Sequence, residues 1–371
     1  MPKQSLQPSD QQKTHLSVPT KTELVGLEFT LIPEKNTSIY AQYTTNLHAW
    51  FLEQVRMIDP QLSSYLHDGE SEKPFTLSAL NRELFSNGNQ IQLKANDSYT
   101  WYVTLLSNRV IIWLNQWLTQ LPSTVNLHNL SLKISSCKII HPPTTYLELL
   151  NSTYNKNLSL TFLSPTSFRH KGHHLPLPIP VNVFHSYLRR WNNFSSQPVD
   201  QEEFLDWIEH HVLISRHYLD SSKILAGKKG AVTGFTGAIE FSLTKTANSK
   251  PEYEKLFYAL GKLAPYCGTG HKTTFGLGQT CCGWPAENIS PVLNPGNVLL
   301  AQRIEELTDV FKAQRKRTGG KRATEIAEKW ATILARREMG ESLDVVAKDL
   351  EMPYETVKTY AKLARRALKS N

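Results

Sequence analysis

Two hydrophobic periods alternate along this chain in a set order, and the order is used twice. Leu27, Phe29 and Leu31 are separated by Glu28 and Thr30, the two-residue period of a half-buried strand over Leu24 to Ile32. Leu47, Trp50, Phe51, Gln54, Val55 and Ile58 then recur at helical spacing, and Asp59-Pro60 predicts the end of that helix. Lys73 to Leu80 and Tyr99 to Ser107 read as strands. Val110, Leu114, Trp117, Leu118 and Leu121 share a helical face, and Leu130, Leu132 and Ile134 alternate once more. Further on, Leu158, Leu160 and Phe162 alternate, Phe184 to Trp191 is helical, Ile239 to Leu243 is extended, Leu256 to Leu263 is helical, and Gln279 to Trp284 reads as a closing strand. An acidic stretch from Asp200 to Asp206, leading into another helix, enlarges this second set. Strand, helix, strand, strand, helix, strand is the split βαβ order, so the expectation is α+β: two tandem ferredoxin-like (RRM-like) domains.

A third pattern follows. Ile326, Trp330, Leu334 and Arg337 mark one helix, and Ser342 caps a second that holds Leu343, Val346, Ala347 and Leu350. Met352-Pro353-Tyr354 turns the chain into a third helix, Glu355 to Leu368, with Val357, Tyr360 and Ala361 inward. This is a helix-turn-helix arrangement, a small all-α domain. The predicted division is a disordered lead-in over 1–22, ferredoxin-like domains over 23–148 and 155–287, a linker and helix over 288–318, and the helix-turn-helix domain over 319–371.

Charge separates the third domain from the others. Residues 312–371 carry 15 Lys and Arg against 8 Asp and Glu, whereas the first 311 residues carry 26 against 25. A localised basic segment is the footprint of a polyanion partner, although a solvated helical face produces a similar count. Lys358, Lys362, Arg365 and Arg366, on or around the third helix, are the candidate nucleic-acid contacts; a protein dock is the other use of such a trihelical unit. No run approaches the roughly eighteen apolar residues of a membrane span, and the polar N-terminus lacks an export core, so the expectation is a cytoplasmic chain without a membrane partner. Cys137, Cys267, Cys281 and Cys282 lack both zinc-type spacing and disulfide density.

The segment Gly268 to Gly278, GTGHKTTFGLG, carries the most chemistry. Glycines reach positive φ without strain, which lets backbone N–H groups approach a phosphate, and His271, Lys272, Thr273 and Thr274 add donors. A glycine-rich hairpin loop is the alternative that composition supports.

Two ferredoxin-like units with this G-x-G-x5-G-x-G segment late in the second resemble the CRISPR-associated endoribonuclease that cuts repeat RNA into guide RNAs, a member of the RAMP superfamily. Gly268, Gly270, Gly276 and Gly278 match at every place. YLHDGESEKPFTLS, from Tyr65 to Ser78, is similar to that family's segment after the first helix, and LSPTSFR, from Leu163 to Arg169, resembles the start of its second domain. The resemblance covers about Leu24 to Trp284 and leaves the helix-turn-helix tail outside.

What it implies is metal-independent cleavage without a cofactor. The ribose 2′-hydroxyl attacks the adjacent phosphate, leaving a 2′,3′-cyclic phosphate and a 5′-hydroxyl. A base, an acid and a donor to the phosphorane are needed, and histidine serves either proton role near neutral pH. The resemblance assigns the catalytic histidine to His67 and the charge-stabilising lysine to Lys73. Where some members carry a first-helix tyrosine, this chain has Leu52, with Tyr43 and Tyr40 nearby; related sequences use a first-helix histidine, which here is His48. Whether His48, His67 or both act stays open on sequence. A capping role for His67 and a packed role for His48 are the structural alternatives.

RNA contacts are expected from Gly268, Gly270, His271, Lys272, Gly276 and Gly278, and from Arg169 and Lys171 beside His170, His173 and His174. That histidine cluster has loop composition and reads as an RNA path and not as a metal site. Arg189-Arg190 reads equally as a solvated face or an RNA groove. The expected partners are CRISPR repeat RNA and its guide product, with DNA or effector-complex proteins for the tail. Two rival functions remain: a guide-RNA carrier that has lost catalysis, motivated by Leu52, and a DNA-binding regulator, motivated by the tail.

Overall fold

The computed structural model describes residues 16–40, 42–67, 72–81, 85–87, 90–127, 130–154, 157–225, 231–284, 295–314 and 321–369. The first unit runs β1 (Leu24–Pro33), β2 (Thr37–Ile39), α1 (Tyr43–Ile58), α2 (Pro60–His67), β3 (Phe75–Leu77), β4 (Phe85–Asn87), β5 (Gln90–Leu93), β6 (Tyr99–Leu105), α3 (Asn108–Thr119), β7 (Thr124–Leu127) and β8 (Leu130–Thr144). Its main sheet has the order β3-β6-β1-β8-β7. The crossovers put β1 between β6 and β8, which is the ferredoxin-like arrangement. The alternation in β1 does what the period demands: Leu27, Phe29 and Leu31 are fully buried, and Glu28 and Thr30 lie on the other face. Phe29, Phe51, Trp101, Trp113 and Trp117 then interlock beneath α1 and α3, with Trp113 and Trp117 stacked at 5.2 Å. Truncating such a residue to alanine costs about 3–5 kcal/mol.

The second unit follows α4 (Tyr146–Asn151) and runs β9 (Leu158–Thr166), β10 (Phe168–His170), β11 (His173–Leu175), α5 (Pro180–Phe194), α6 (Gln201–His211), β12 (Val212–Leu225), β13 (Ala231–Leu243), α7 (Pro251–Cys267) and β14 (Thr280–Cys282). Its sheet order, β12-β13-β9-β14, repeats the topology of the first. Both units are ferredoxin-like. A C-terminal helical region completes the chain: α8 (Pro295–Ala313), α9 (Lys321–Glu338), α10 (Leu343–Asp349) and α11 (Tyr354–Lys369). Among the described residues no helix is long and apolar enough to cross a membrane.

Several expectations change. Residues 1–15 of the lead-in lie outside the described residues, but 16–22 are anchored at two places: Val18 and Thr22 are buried, and Val18 exchanges hydrogen bonds with the Asn115 side chain of α3 at 2.9 and 2.8 Å. The helix α1 ends at Ile58, as Asp59-Pro60 predicts, but Pro60 does not lead into a loop. It opens α2, since a first-turn proline lacks only an N–H the helix cannot use, and His67 becomes the last residue of that helix. The boundary at 148 cuts through α4, whose Tyr146 and Leu149 join the core of the second unit. The strand β12 went unrecognised because its run, VLISRHYLDSSKIL, mixes charged and apolar residues without strict alternation, yet it pairs with β13 along its full length. The short β2-β5-β4 sheet was equally invisible, its strands being three or four residues long. Finally, the helix expected within 288–318 is α8, and it is packed: Leu300, Ile304, Leu307 and Phe311 share one core with Ala327, Ala331 and Leu334 of α9. Of the expected loose and basic stretches, 285–294 and 315–320 lie outside the described residues.

Candidate active site

The glycine segment ends α7 and lies in the seam between the two units. Its interior is buried, and its glycines are demanded by backbone proximity. At Gly270 (φ +78°) an added Cβ would sit 2.3 Å from the Ser167 carbonyl oxygen; at Gly278 (φ +69°) it would sit 2.0 Å from that of Thr269. Any side chain there would displace neighbouring backbone. All four glycine N–H groups donate within the protein: Gly268 to Ala264 O, Gly270 to Ser186 Oγ, Gly276 to Leu77 O and Gly278 to Pro165 O. This corrects the expectation that these amides cradle a phosphate. Donors already committed to carbonyl and hydroxyl oxygens in a packed interior are not available to a ligand, so the loop reading of the glycines holds for their backbone.

The segment is held from α5. Ser186, Tyr187 and Arg190 lie on its inner side: Tyr187 shares a 2.6 Å hydrogen bond with Thr269, and Arg190 donates to Gly270 O at 2.9 Å and to Ser186 O and Oγ at 2.8 Å. Arg190 is only 4% exposed. A cation so enclosed requires compensation, and Glu72 of the first unit approaches it at 3.9 Å while binding Arg189 at 2.9 Å. Arg190 is therefore a structural clamp and neither a solvated face nor a groove residue. Sequence reasoning singled out Arg189-Arg190 but missed this role, for which a serine and an arginine at i, i+4 among Val183, Tyr187 and Trp191 were the available signal.

From the first unit the seam receives α1 and β3. Gly276 donates to Leu77 O at 3.0 Å and bridges Ser78 in parallel fashion. The His48 ring, half-buried on α1, stacks on Phe275 at 4.4 Å and 24°, and on Phe75 at 6.0 Å. Phe275 was overlooked because a single aromatic in a glycine-rich turn has no periodicity. Along the same seam runs a cleft of about 250 Å³, lined by Thr76, Ser78 and Tyr102 on one side and by Thr273, Gly278 and Gln279 on the other.

The remaining candidates divide. Lys73 is half-buried beside Glu72, just before β3. His67 is exposed at the end of α2, and among the described residues no hydrogen bond, ion pair or ring stacking ties it to the glycine segment; the acidic spacer at 68–71 lies outside the described residues. Leu52 is a core residue, and Tyr43 is buried, with its hydroxyl accepting the Leu80 N–H at 3.0 Å and burial pushing its pKa far up. Tyr40 donates to Gly340 O. None of the three places a phenol where it could act as a catalyst.

The β10–β11 hairpin brings two distant candidate groups together. Arg169 pairs across it with His174, Lys171 sits at its exposed tip, and His174 stacks on His271 at 5.2 Å. The His271 Nδ1 lies 2.8 Å from Ser167 O, and burial holds its imidazole down at about 4. Burial, with the Arg169 charge adding to it, lowers Lys272 to about 8. Cations are thus crowded at one rim of the seam. Among the described residues no group of three His, Cys, Asp or Glu side chains is arranged to hold a metal ion. The tail candidates Lys358, Lys362, Arg365 and Arg366 lie exposed on α11.

Comparison with known proteins gives this geometry a lineage. Residues 25–153 match the family model of the CRISPR Cas6 N-terminal domain, and residues 160–280 match that of the CRISPR-associated endoribonuclease Cas6. A CRISPR-associated endoribonuclease Cas6 of Streptococcus thermophilus is 28% identical over 134 residues, 36% of this chain and 53% of that protein, so the match spans about half of the curated relative. Among solved structures, a Cas6 product complex aligns over 70% of this chain and 100% of its own, with 24% identity and a TM-score of 0.59. Thermus thermophilus Cas6 aligns over 71% and 99%, with 22% identity and a TM-score of 0.54. With both family models matched in sequence and two ferredoxin-like units joined at the glycine segment, the chain belongs to the CRISPR-associated Cas6 endoribonuclease family.

Proposed function

We propose that this protein binds CRISPR repeat RNA in the seam between its ferredoxin-like units and cuts it once, without a metal, by attack of the ribose 2′-hydroxyl on the adjacent phosphate. The observation that carries this reading is the stacking of His48 on Phe275. It fixes a group able to accept or donate a proton on the wall where first and second units meet, the place where a strand of RNA lying in the seam would pass. His48 carries the proton transfer; Lys73, on the same side of the seam, stabilises charge on the phosphorane. The rim of Arg169, Lys171, His271 and Lys272 holds backbone phosphates through side chains, since the glycine amides are engaged. Two structural neighbours are Cas6 product complexes, and family membership supports the same substrate class here.

The test is cleavage of a cognate CRISPR repeat RNA in excess chelator. The expected products are a 2′,3′-cyclic phosphate and a 5′-hydroxyl, and a 2′-deoxy substitution at the scissile nucleotide stops the reaction. His48→Ala removes at least about 100-fold of the rate, the scale of general acid–base catalysis, while RNA affinity is retained; His67→Ala has a smaller effect. Cleavage of the deoxy substrate refutes the chemistry. Loss of rate in His67→Ala alone moves the catalyst to α2, and tight binding with no cleavage by the unmodified protein identifies a guide-RNA carrier.

A further inference from the structure

The C-terminal helices have a construction that RNA cleavage does not use. The Ser342 hydroxyl caps α10 by accepting the Val345 N–H at 3.3 Å, and Glu351 turns the chain through φ +54° so that Pro353 can begin the approach to α11. Ile333, Val346, Ala347, Val357 and Ala361 pack the three helices together. The fully buried Arg336 of α9 binds Glu341 and, at 2.8 Å, Asp349 at the end of α10. Buried ion pairs add little net stability, but they admit few alternative geometries, so this triad holds α10 at a set angle to α9.

Charge is segregated on this frame. Past Glu355 the sequence contains no acidic residue, and Lys358, Lys362, Arg365 and Arg366 all follow it. Four acids of the module are paired: Glu341 and Asp349 with Arg336, Glu338 with Arg303, and Glu355 with Lys358 one turn along α11. What α11 exposes is Tyr354, Glu355, Lys358 and Thr359 in its N-terminal half, with Glu355 paired to Lys358, and then Lys362, Leu363, Arg365 and Arg366, so that its C-terminal half carries cations and no acid.

We infer that α11 is a reading helix for duplex DNA, a binding site separate from the seam. The major groove of B-DNA is about 12 Å wide and admits a helix, and the second helix of a helix-turn-helix enters it with N-terminal side chains toward base edges. The major groove of A-form RNA is too deep and narrow for that, which favours DNA over an RNA duplex. Tyr354, Lys358 and Thr359 face the bases; Lys362 and Arg365 meet phosphates. The module is also fastened to the RNA-cleaving body. Lys223 of β12 binds Glu305 of α8 at 2.6 Å, Val298 of α8 packs on Leu277 of the glycine segment, and Tyr40 donates to Gly340 O at the end of α9. DNA held by α11 therefore carries the seam with it in a set orientation.

The experiment uses the full chain and three labelled probes: a 25-base-pair DNA duplex, an RNA duplex of the same sequence, and the single-stranded DNA. Binding is measured from 50 to 200 mM salt, with repeat-RNA cleavage in parallel. The unmodified protein is expected to bind the DNA duplex more tightly than the RNA duplex. The double variant Lys362→Ala/Arg365→Ala weakens DNA binding and lowers the slope of log K against log salt by about 2, roughly one for each phosphate no longer neutralised. Cleavage and melting temperature stay unchanged, both residues being exposed and remote from the seam. Unaltered DNA affinity and slope in the double variant overturn the proposal, as does equal or tighter binding of the RNA duplex. Because cleavage is read separately, a failure here is distinct from a failure of the RNA-processing reading.

Discussion

The claim that the glycine segment is a packing device can be tested on two glycines that differ in one respect. Gly172, at the tip of the β10–β11 hairpin, has φ +83° and no heavy atom within 4 Å of a built Cβ; Gly278 has φ +69° and a carbonyl oxygen at 2.0 Å. An alanine at either position meets the left-handed penalty, about 1–2 kcal/mol. Only Gly278→Ala must also move backbone, because 2.0 Å is far inside the roughly 3.5–4.0 Å optimum for non-bonded heavy atoms. That movement disturbs two hydrogen bonds, Thr269 N to Gly278 O at 2.8 Å and Gly278 N to Pro165 O at 3.1 Å. At about 1 kcal/mol each, the expected loss is about 3–4 kcal/mol for Gly278→Ala against about 1–2 for Gly172→Ala. Urea unfolding at 25 °C, followed by tryptophan fluorescence, measures the difference. Equal losses would mean that the segment is not packed against Thr269 and Pro165, and the phosphate-cradle reading of its amides would return.

Three further outcomes follow from the same geometry. Phe275→Ala removes the surface on which His48 stacks at 4.4 Å; the single-turnover cleavage rate should fall about tenfold or more, with RNA affinity changed less than rate, and an unchanged rate would disconnect Phe275 from the chemistry. Arg190→Met leaves Gly270 O and Ser186 Oγ without the guanidinium that donates to them, so unfolding free energy should drop by about 2–4 kcal/mol, whereas Arg190→Lys restores part of it. Because burial holds His271 at about 4, below the ordinary 6.5, the unfolded chain takes up the proton first; stability is full above pH 6.5 and declines as pH falls toward 4. Between pH 7 and 5 the loss from this residue is about 2 kcal/mol, and His271→Gln should abolish that increment in pH-dependent unfolding.

The two ferredoxin-like units were legible wherever a strand had one wet face and one dry face, as in β1, or where a helix had a continuous apolar stripe, as in α3. Periodicity records burial, so it failed where burial is irregular: β12 alternates poorly because successive residues from Leu213 to Tyr218 are all exposed, and the β2, β4 and β5 strands are too short to express a period. The site divided along similar lines. The glycines and the two histidines could be singled out because unusual residue types at set spacing survive without structural context. Glu72 and Phe275 could not, nor could the clamp role of Arg190, since each acts through a partner from another element.

By itself, then, the amino-acid order determined the repeated topology, the glycine positions that tolerate positive φ, and the concentration of cations near the C-terminus. These are local properties: solvent preference, backbone freedom and charge. The tertiary structure decided which histidine meets the glycine segment, that the glycine amides are spent internally, and that the C-terminal helices are bolted to the ferredoxin-like units. Those outcomes depend on which surfaces come within a few ångströms of each other, and residues more than two hundred positions apart, such as His48 and Phe275, meet only after both sheets have folded and packed.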